Sequence, residues 1–208
     1  MATTTYHPAA AVTLPRAAVL RPALTLLLFF TLLLGLLYPL AVTGLAQWLL
    51  PAQANGSLLR DSNGKVVGSA LIGQAFHGRG EFWSRPSATA DNAYNGGASG
   101  GSNQGPSNPA LQQAVAARIA ALRAAHPGQH GPVPLDLVTN SASGLDPHIS
   151  LAAAYYQAPR VARELKRPLA QVEALIAAQR EQGWFGSAQQ ARVNVLQLNL
   201  ALRRLAAG

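Results

Sequence analysis

The chain has 208 residues and no cysteine, which excludes disulfide frameworks, thiolate zinc sites and cysteine nucleophiles. Charged residues are 12%, half the ~25% of an average soluble domain, and the 49% hydrophobic content with only 6% aromatics is supplied mainly by alanine and leucine. The net charge of +8 is scattered, with no run of five like charges, so nucleic acid is not an expected partner.

No charged residue lies between Arg21 and Arg60. Leu24 through Leu45 supplies the about 20 apolar residues a helix needs to cross a bilayer, and Trp48 stands where an interfacial ring belongs. Residues 1–21 read as a short tail, 22–49 as a membrane anchor, and 50–208 as an exported domain large enough to bury a core. Pro39 predicts a kink near Tyr38. Ala52-Gln53-Ala54 has the small-x-small form of a signal cleavage site. A signal h-region is only about 7–15 residues long, however, so an uncleaved anchor is expected. Arg16 and Arg21 precede the span and only Arg60 follows closely, which places the N-terminus in the cytoplasm and the domain outside.

The domain opens with two strand-like runs around Asp61-Ser62-Asn63-Gly64, the pattern of a hairpin. A long irregular stretch from Phe76 to Pro109 follows. Loops of that length are usually functional or disordered, and its Phe82, Trp83 and Tyr94 argue for order. Asn108 and Pro109 predict a helix start, Leu111, Val115, Ile119 and Leu122 its buried face, and His126-Pro127-Gly128 its end. Val133 to Thr139 reads as a short strand. Further helices are expected from about Ser150, with a kink or restart at Pro159, from Pro168 to about Gln182, and from Val195 to Leu205. The class is α+β: a single N-terminal transmembrane helix followed by one soluble α+β domain.

Ser141, Asp146 and His148 offer the residue types of a hydrolase triad, which makes a membrane-anchored exported hydrolase the alternative reading. Asn140-Ser141-Ala142-Ser143-Gly144 lacks the first glycine of a nucleophile elbow, and Asp146-Pro147 reads equally well as a turn. The run Gly96-Gly97-Ala98-Ser99-Gly100-Gly101 has no Lys-Ser or Lys-Thr after it, so it lacks the lysine and hydroxyl of a phosphate-binding loop. The five histidines make no zincin pair, and no metal site is expected. One helix cannot enclose a pore, so the chain is expected to work with partners.

The loop sequences carry a resemblance. Phe82-Trp83-Ser84-Arg85-Pro86-Ser87-Ala88, Tyr94-Asn95, Ala98-Ser99-Gly100-Gly101-Ser102-Asn103 and Ser107-Asn108-Pro109 closely resemble the C subunit of the Kdp-type potassium-transporting P-type ATPase. Tyr38-Pro39, Gln47-Trp48, Gln53-Ala54-Asn55-Gly56-Ser57-Leu58 and Gly68-Ser69-Ala70-Leu71-Ile72-Gly73-Gln74 extend it. Val138-Thr139, Ser143-Gly144-Leu145-Asp146, Gln157, Pro159-Arg160-Val161-Ala162 and Val193-Asn194-Val195 with Leu198-Asn199 complete the series, which covers roughly residues 20–205.

The resemblance implies a non-catalytic, single-span accessory subunit in a bacterial inner membrane. Its partners would be a potassium-conducting membrane subunit, a P-type ATP-hydrolysing subunit and the lipid bilayer. It implies a catalytic chaperone that raises the ATP affinity of the hydrolysing subunit, with no tightly bound cofactor and ATP at most shared with that subunit. Gln157 matches a family glutamine proposed to touch ATP, although the flanking charges place it across the membrane from cytoplasmic nucleotide. Phe82, Trp83, Arg85 and Tyr94 in the loop and Gly44 in the anchor are the expected partner-contacting residues.

Overall fold

The computed structural model describes residues 16–183 and 191–207, so most of the expected tail, residues 1–15, lies outside them. The chain divides into two compact units, Met1–Asn55 and Gly56–Gly208.

In the first unit the leucine- and alanine-rich run favours helix. It forms α1 (Arg16–Leu32), a π turn (Leu33–Leu37) and α2 (Tyr38–Leu49). Among the described residues, Ala18–Leu49 is the one helical stretch long and apolar enough to cross a membrane. Its 32 residues reach about 48 Å at ~1.5 Å each, more than the ~30 Å of a hydrocarbon core. The disturbance expected near Tyr38 takes the form of the π turn, in which the Tyr38 N–H donates to the Leu33 carbonyl, five residues back. Pro39 has no N–H for the Gly35 carbonyl and its ring crowds that oxygen, so a wider turn relieves the ladder there. A short helix, α3 (Pro51–Ala54), closes the unit.

The second unit begins with the expected hairpin, β1 (Leu58–Arg60) antiparallel to β2 (Val66–Ser69). One Asp61 carboxylate oxygen accepts the N–H groups of Asn63 and Lys65, each at 2.9 Å, which fixes the turn between the strands. Helix α4 (Pro109–Ala125) starts as predicted, with the Asn108 side chain accepting the Ala110 N–H at 2.9 Å. The strand expected over Val133–Thr139 is instead a 3-10 turn at Leu135–Leu137. Pro134 lacks the donor a ladder needs, and the Asp136 carboxylate turns to accept the Ser150 N–H at 2.7 Å.

A three-stranded antiparallel sheet, unread in the sequence, has the order β3 (His148–Ser150), β5 (Arg192–Asn194), β4 (Arg180–Glu181). β4 ends the third predicted helix early: α6 covers only Leu169–Ala178. Ser150 caps α5 (Leu151–Glu164), which runs through Pro159 without restarting. α7 (Val195–Ala207) follows β5 directly. The mixture of helices and small sheets is an α+β domain. Helix α5 is its hub, burying Ala153, Ala154, Ala158, Val161 and Ala162 with Val172 and Ile176 of α6 and Leu198 and Leu202 of α7. The alanines let the helices approach closely, and α5 packs directly on α6.

Candidate functional site

Residues 70–108 contain no helix or strand, yet they are stitched to the body throughout. Gly73 N–H donates to the Leu145 carbonyl at 2.8 Å, Gly100 N–H to Ser143 at 2.9 Å, and Ser141 N–H to Pro86 at 3.1 Å. The Ser87 hydroxyl donates to the Gly144 carbonyl at 2.7 Å and accepts the Tyr94 N–H at 2.9 Å. Gly144 has φ +66°, and a Cβ there would lie 2.7 Å from the Gly100 carbonyl oxygen, so both conformation and contact require glycine. In the glycine-rich run the exposed Gly97 N–H donates to the Asn95 side chain at 3.0 Å, a local turn bond.

The centre of the loop is held by a buried polar lock. The Asn199 carboxamide on α7 accepts the Phe82 N–H at 2.8 Å and donates to the Phe82 carbonyl at 3.0 Å. The Gln157 carboxamide on α5 does the same to Trp83, at 2.7 and 3.2 Å. Its oxygen also accepts from Arg160 Nη2 at 3.0 Å and its nitrogen donates to the Ala153 carbonyl at 3.3 Å. Gln157 is 0% exposed and all four of its hydrogen-bonding sites are used.

Arg160, 2% exposed, likewise spends every N–H. Nε donates to His126 Nε2 at 2.9 Å, Nη1 to the Gly78 and Arg79 carbonyls, and Nη2 to the Glu81 carbonyl at 2.9 Å and to Gln157. Its guanidinium also lies 4.3 Å from the centre of the Trp83 ring. Burial pulls its pKa down to about 10, which leaves it charged at neutral pH. His126 has a forced tautomer. Nδ1 faces the Leu122 carbonyl at 2.7 Å and must donate, so Nε2 is the bare acceptor for Arg160. Burial pushes the His126 pKa down, and the Arg160 charge adds to it.

A second constellation is a line of polar and charged groups, Arg85, Asp146, His148 and Glu181. Arg85 Nη1 donates to Asp146 Oδ2 at 2.9 Å, the His148 N–H to Asp146 Oδ1 at 3.0 Å, and His148 Nε2 lies 3.1 Å from Glu181. Partial burial pushes the Asp146 pKa up. Hydrogen bonds from the His148 ring and backbone, with the Arg85 bond and charge, outweigh it and hold the carboxyl at about 2. The Tyr94 hydroxyl donates to the Arg85 carbonyl, and burial pushes its pKa up.

Both His148 ring nitrogens face carboxylates, with Nδ1 3.5 Å from Asp146. Ser141, 2% exposed, has a hydroxyl without a hydrogen-bond partner. The three residue types of the hydrolase alternative are present, but the serine–histidine bond a triad requires is not formed.

A family model described as the c chain of the K+-transporting ATPase matches residues 20–204. The chain belongs to the KdpC family. The potassium-transporting ATPase KdpC subunit of Polaromonas naphthalenivorans is 63% identical over 90% of this chain and 95% of its own length. That of Methylococcus capsulatus is 58% identical over 89% and 97%, and that of Yersinia pestis 56% identical over 88% and 91%. Membership of the KdpC family makes the chain a subunit of a potassium-transporting ATPase, with one candidate membrane helix at its N-terminus.

Of the expected KdpC contact residues, Trp83, Arg85 and Tyr94 line one cavity. Phe82 is 0% exposed and sits in the core, Trp83, Arg85 and Tyr94 are half-buried along the loop, and Gly44 has no atom within 4 Å of where a Cβ would stand. Sequence reasoning gave no role to Arg160, His126 or Asn199. Asn199 entered only as part of the Leu198-Asn199 match in the resemblance. His126 read only as a helix stop.

Proposed function

We propose that this chain is the accessory, non-catalytic subunit of an ATP-driven potassium uptake complex in a bacterial inner membrane. It assembles with a potassium-conducting subunit and a P-type ATP-hydrolysing subunit and raises the ATP affinity of the latter. Its similarity to potassium-transporting ATPase KdpC subunits supplies the complex. The observation that carries the rest is the loop of residues 70–108, an ordered surface held by Gln157 on α5 and Asn199 on α7. The apolar helix Ala18–Leu49, with Arg16 just before it, Arg21 in its first turn and no charge after that until Arg60, supports an N-terminus in the cytoplasm and the domain outside.

In this arrangement Gln157 acts on nucleotide affinity through the loop it holds, since its carboxamide has no bonding site left for ATP. Trp83, Arg85 and Tyr94 form the face toward the conducting subunit, Phe82 supports them from beneath, and Gly44 gives close approach in the membrane. An affinity-tagged chain is expected to recover two larger membrane proteins. The recovered complex is expected to hydrolyse ATP in response to potassium, with a lower KM for ATP than the same complex stripped of this subunit. Recovery of the chain alone, or an unchanged KM, would remove the assignment.

A further inference from the structure

Beside the lock lies a cavity of about 500 Å³ between the loop and α4. Trp83, Tyr94, Phe76 and Leu122 form its apolar walls, and Arg118 and Arg85 reach it. Two exposed alanines, Ala93 and Ala121, also line it. No carboxylate lines it. Arg118 bonds only neutral oxygens, the Val138 carbonyl and the Asn140 side chain, each at 2.9 Å. Arg85 Nε is buried without an acceptor. Tryptophan, tyrosine and arginine around a pocket are the composition of a binding hot spot.

Resting on the function proposed above, we infer that this cavity seats a loop of the potassium-conducting subunit that carries one large apolar side chain followed by an acidic residue. The apolar side chain enters between Trp83, Tyr94 and Phe76, and the carboxylate faces Arg118, whose charge no carboxylate in the cavity balances, and the unpaired Nε of Arg85, whose Nη1 is already paired with Asp146. The volume lies in the roughly 300–1,000 Å³ range of sites that enclose a small ligand, so it holds a short stretch of chain rather than a single side chain.

The test uses the whole complex, captured by a tag on the conducting subunit. Ala121→Trp and Ala93→Trp plug the cavity from exposed positions, and Leu169→Trp, exposed on α6 and outside the cavity, is the control. Recovery of this subunit is expected to fall about tenfold or more in both plugged variants and to hold in the control, with equal membrane levels and melting temperatures. A second reading uses the chain's lack of cysteine: a maleimide should label Ala93→Cys in the free chain and be excluded in the complex. Normal recovery of the plugged variants, or equal labelling in both states, overturns the pocket and leaves the proposed function standing. A small-molecule adduct in native mass spectra of the free chain, lost in Ala121→Trp, also overturns it. If the unaltered chain is not captured at all, the proposed function falls and the pocket with it.

Discussion

Gln157 and Trp83, 74 residues apart in sequence, are joined by two hydrogen bonds between one carboxamide and one residue's backbone, at 2.7 and 3.2 Å. The same carboxamide oxygen steadies Arg160, whose guanidinium lies against the Trp83 ring. Loop, helix and cation are thereby held in one closed circuit.

Gln157→Ala breaks that circuit and strands buried polar groups on Trp83 and Arg160. Each buried group left unpaired costs about 1–3 kcal/mol, so the melting temperature should fall by several degrees. Hydrogen exchange at the Trp83 amide should rise. An unchanged melt together with weakened ATP binding by the complex would instead assign Gln157 to the nucleotide.

Asp146 has a folded pKa below its ordinary value, so its contribution is complete above about pH 4 and is lost as pH falls through about 2. After discounting for partial exposure, that contribution is on the order of 1–2 kcal/mol. The stability difference between the native chain and Asp146→Asn should be flat from pH 7 to 5 and narrow below pH 4. Denaturant melts of the detergent-solubilised chain across that range give the result. A constant difference down to pH 2 would show that the Arg85 and His148 contacts do not hold the carboxylate.

His126 is neutral in the fold because its pKa is pushed below the ordinary value. Its stabilising contribution is present above about pH 6.5 and is lost as pH falls through the lower folded value. The native chain should therefore lose more stability between pH 7.5 and 5 than His126→Gln, which keeps an acceptor for Arg160 but does not titrate. Parallel melting curves for the two proteins would exclude this role.

Gly44 stands in open space within the helical span, so Gly44→Leu should leave membrane insertion unchanged. Helices in lipid associate by close packing at small residues, so recovery of this chain with the conducting subunit should drop several-fold. Equal recovery would clear this face of the helix.

The sequence made local structure legible where one segment carries its own signal. The apolar span, the Asp61–Gly64 turn and the Asn108-Pro109 cap were all readable from neighbouring residues. The three-stranded sheet was not. Its strands are two or three residues long, too short for an alternating pattern, and they become strands only by pairing with each other. The lock failed for the same reason. Gln157 and Arg160 sit on α5, Asn199 on α7 and His126 just past the end of α4, and no spacing rule brings them to the Phe82-Trp83 backbone. The alanines of α5 lie on its buried face, and Gln157 and Arg160 share that face.

Phe82 and Trp83 receive from two side chains what an adjacent strand would otherwise supply, one donor and one acceptor apiece. A carboxamide grips a backbone without regard to the side chain it carries. Register therefore rests on the Phe82 ring in its core slot and the Trp83 ring on Arg160. The loop is not a portable cassette. Residues 70–108 grafted onto another scaffold would arrive without the template that shapes them, and the smallest transferable unit includes α5 and α7.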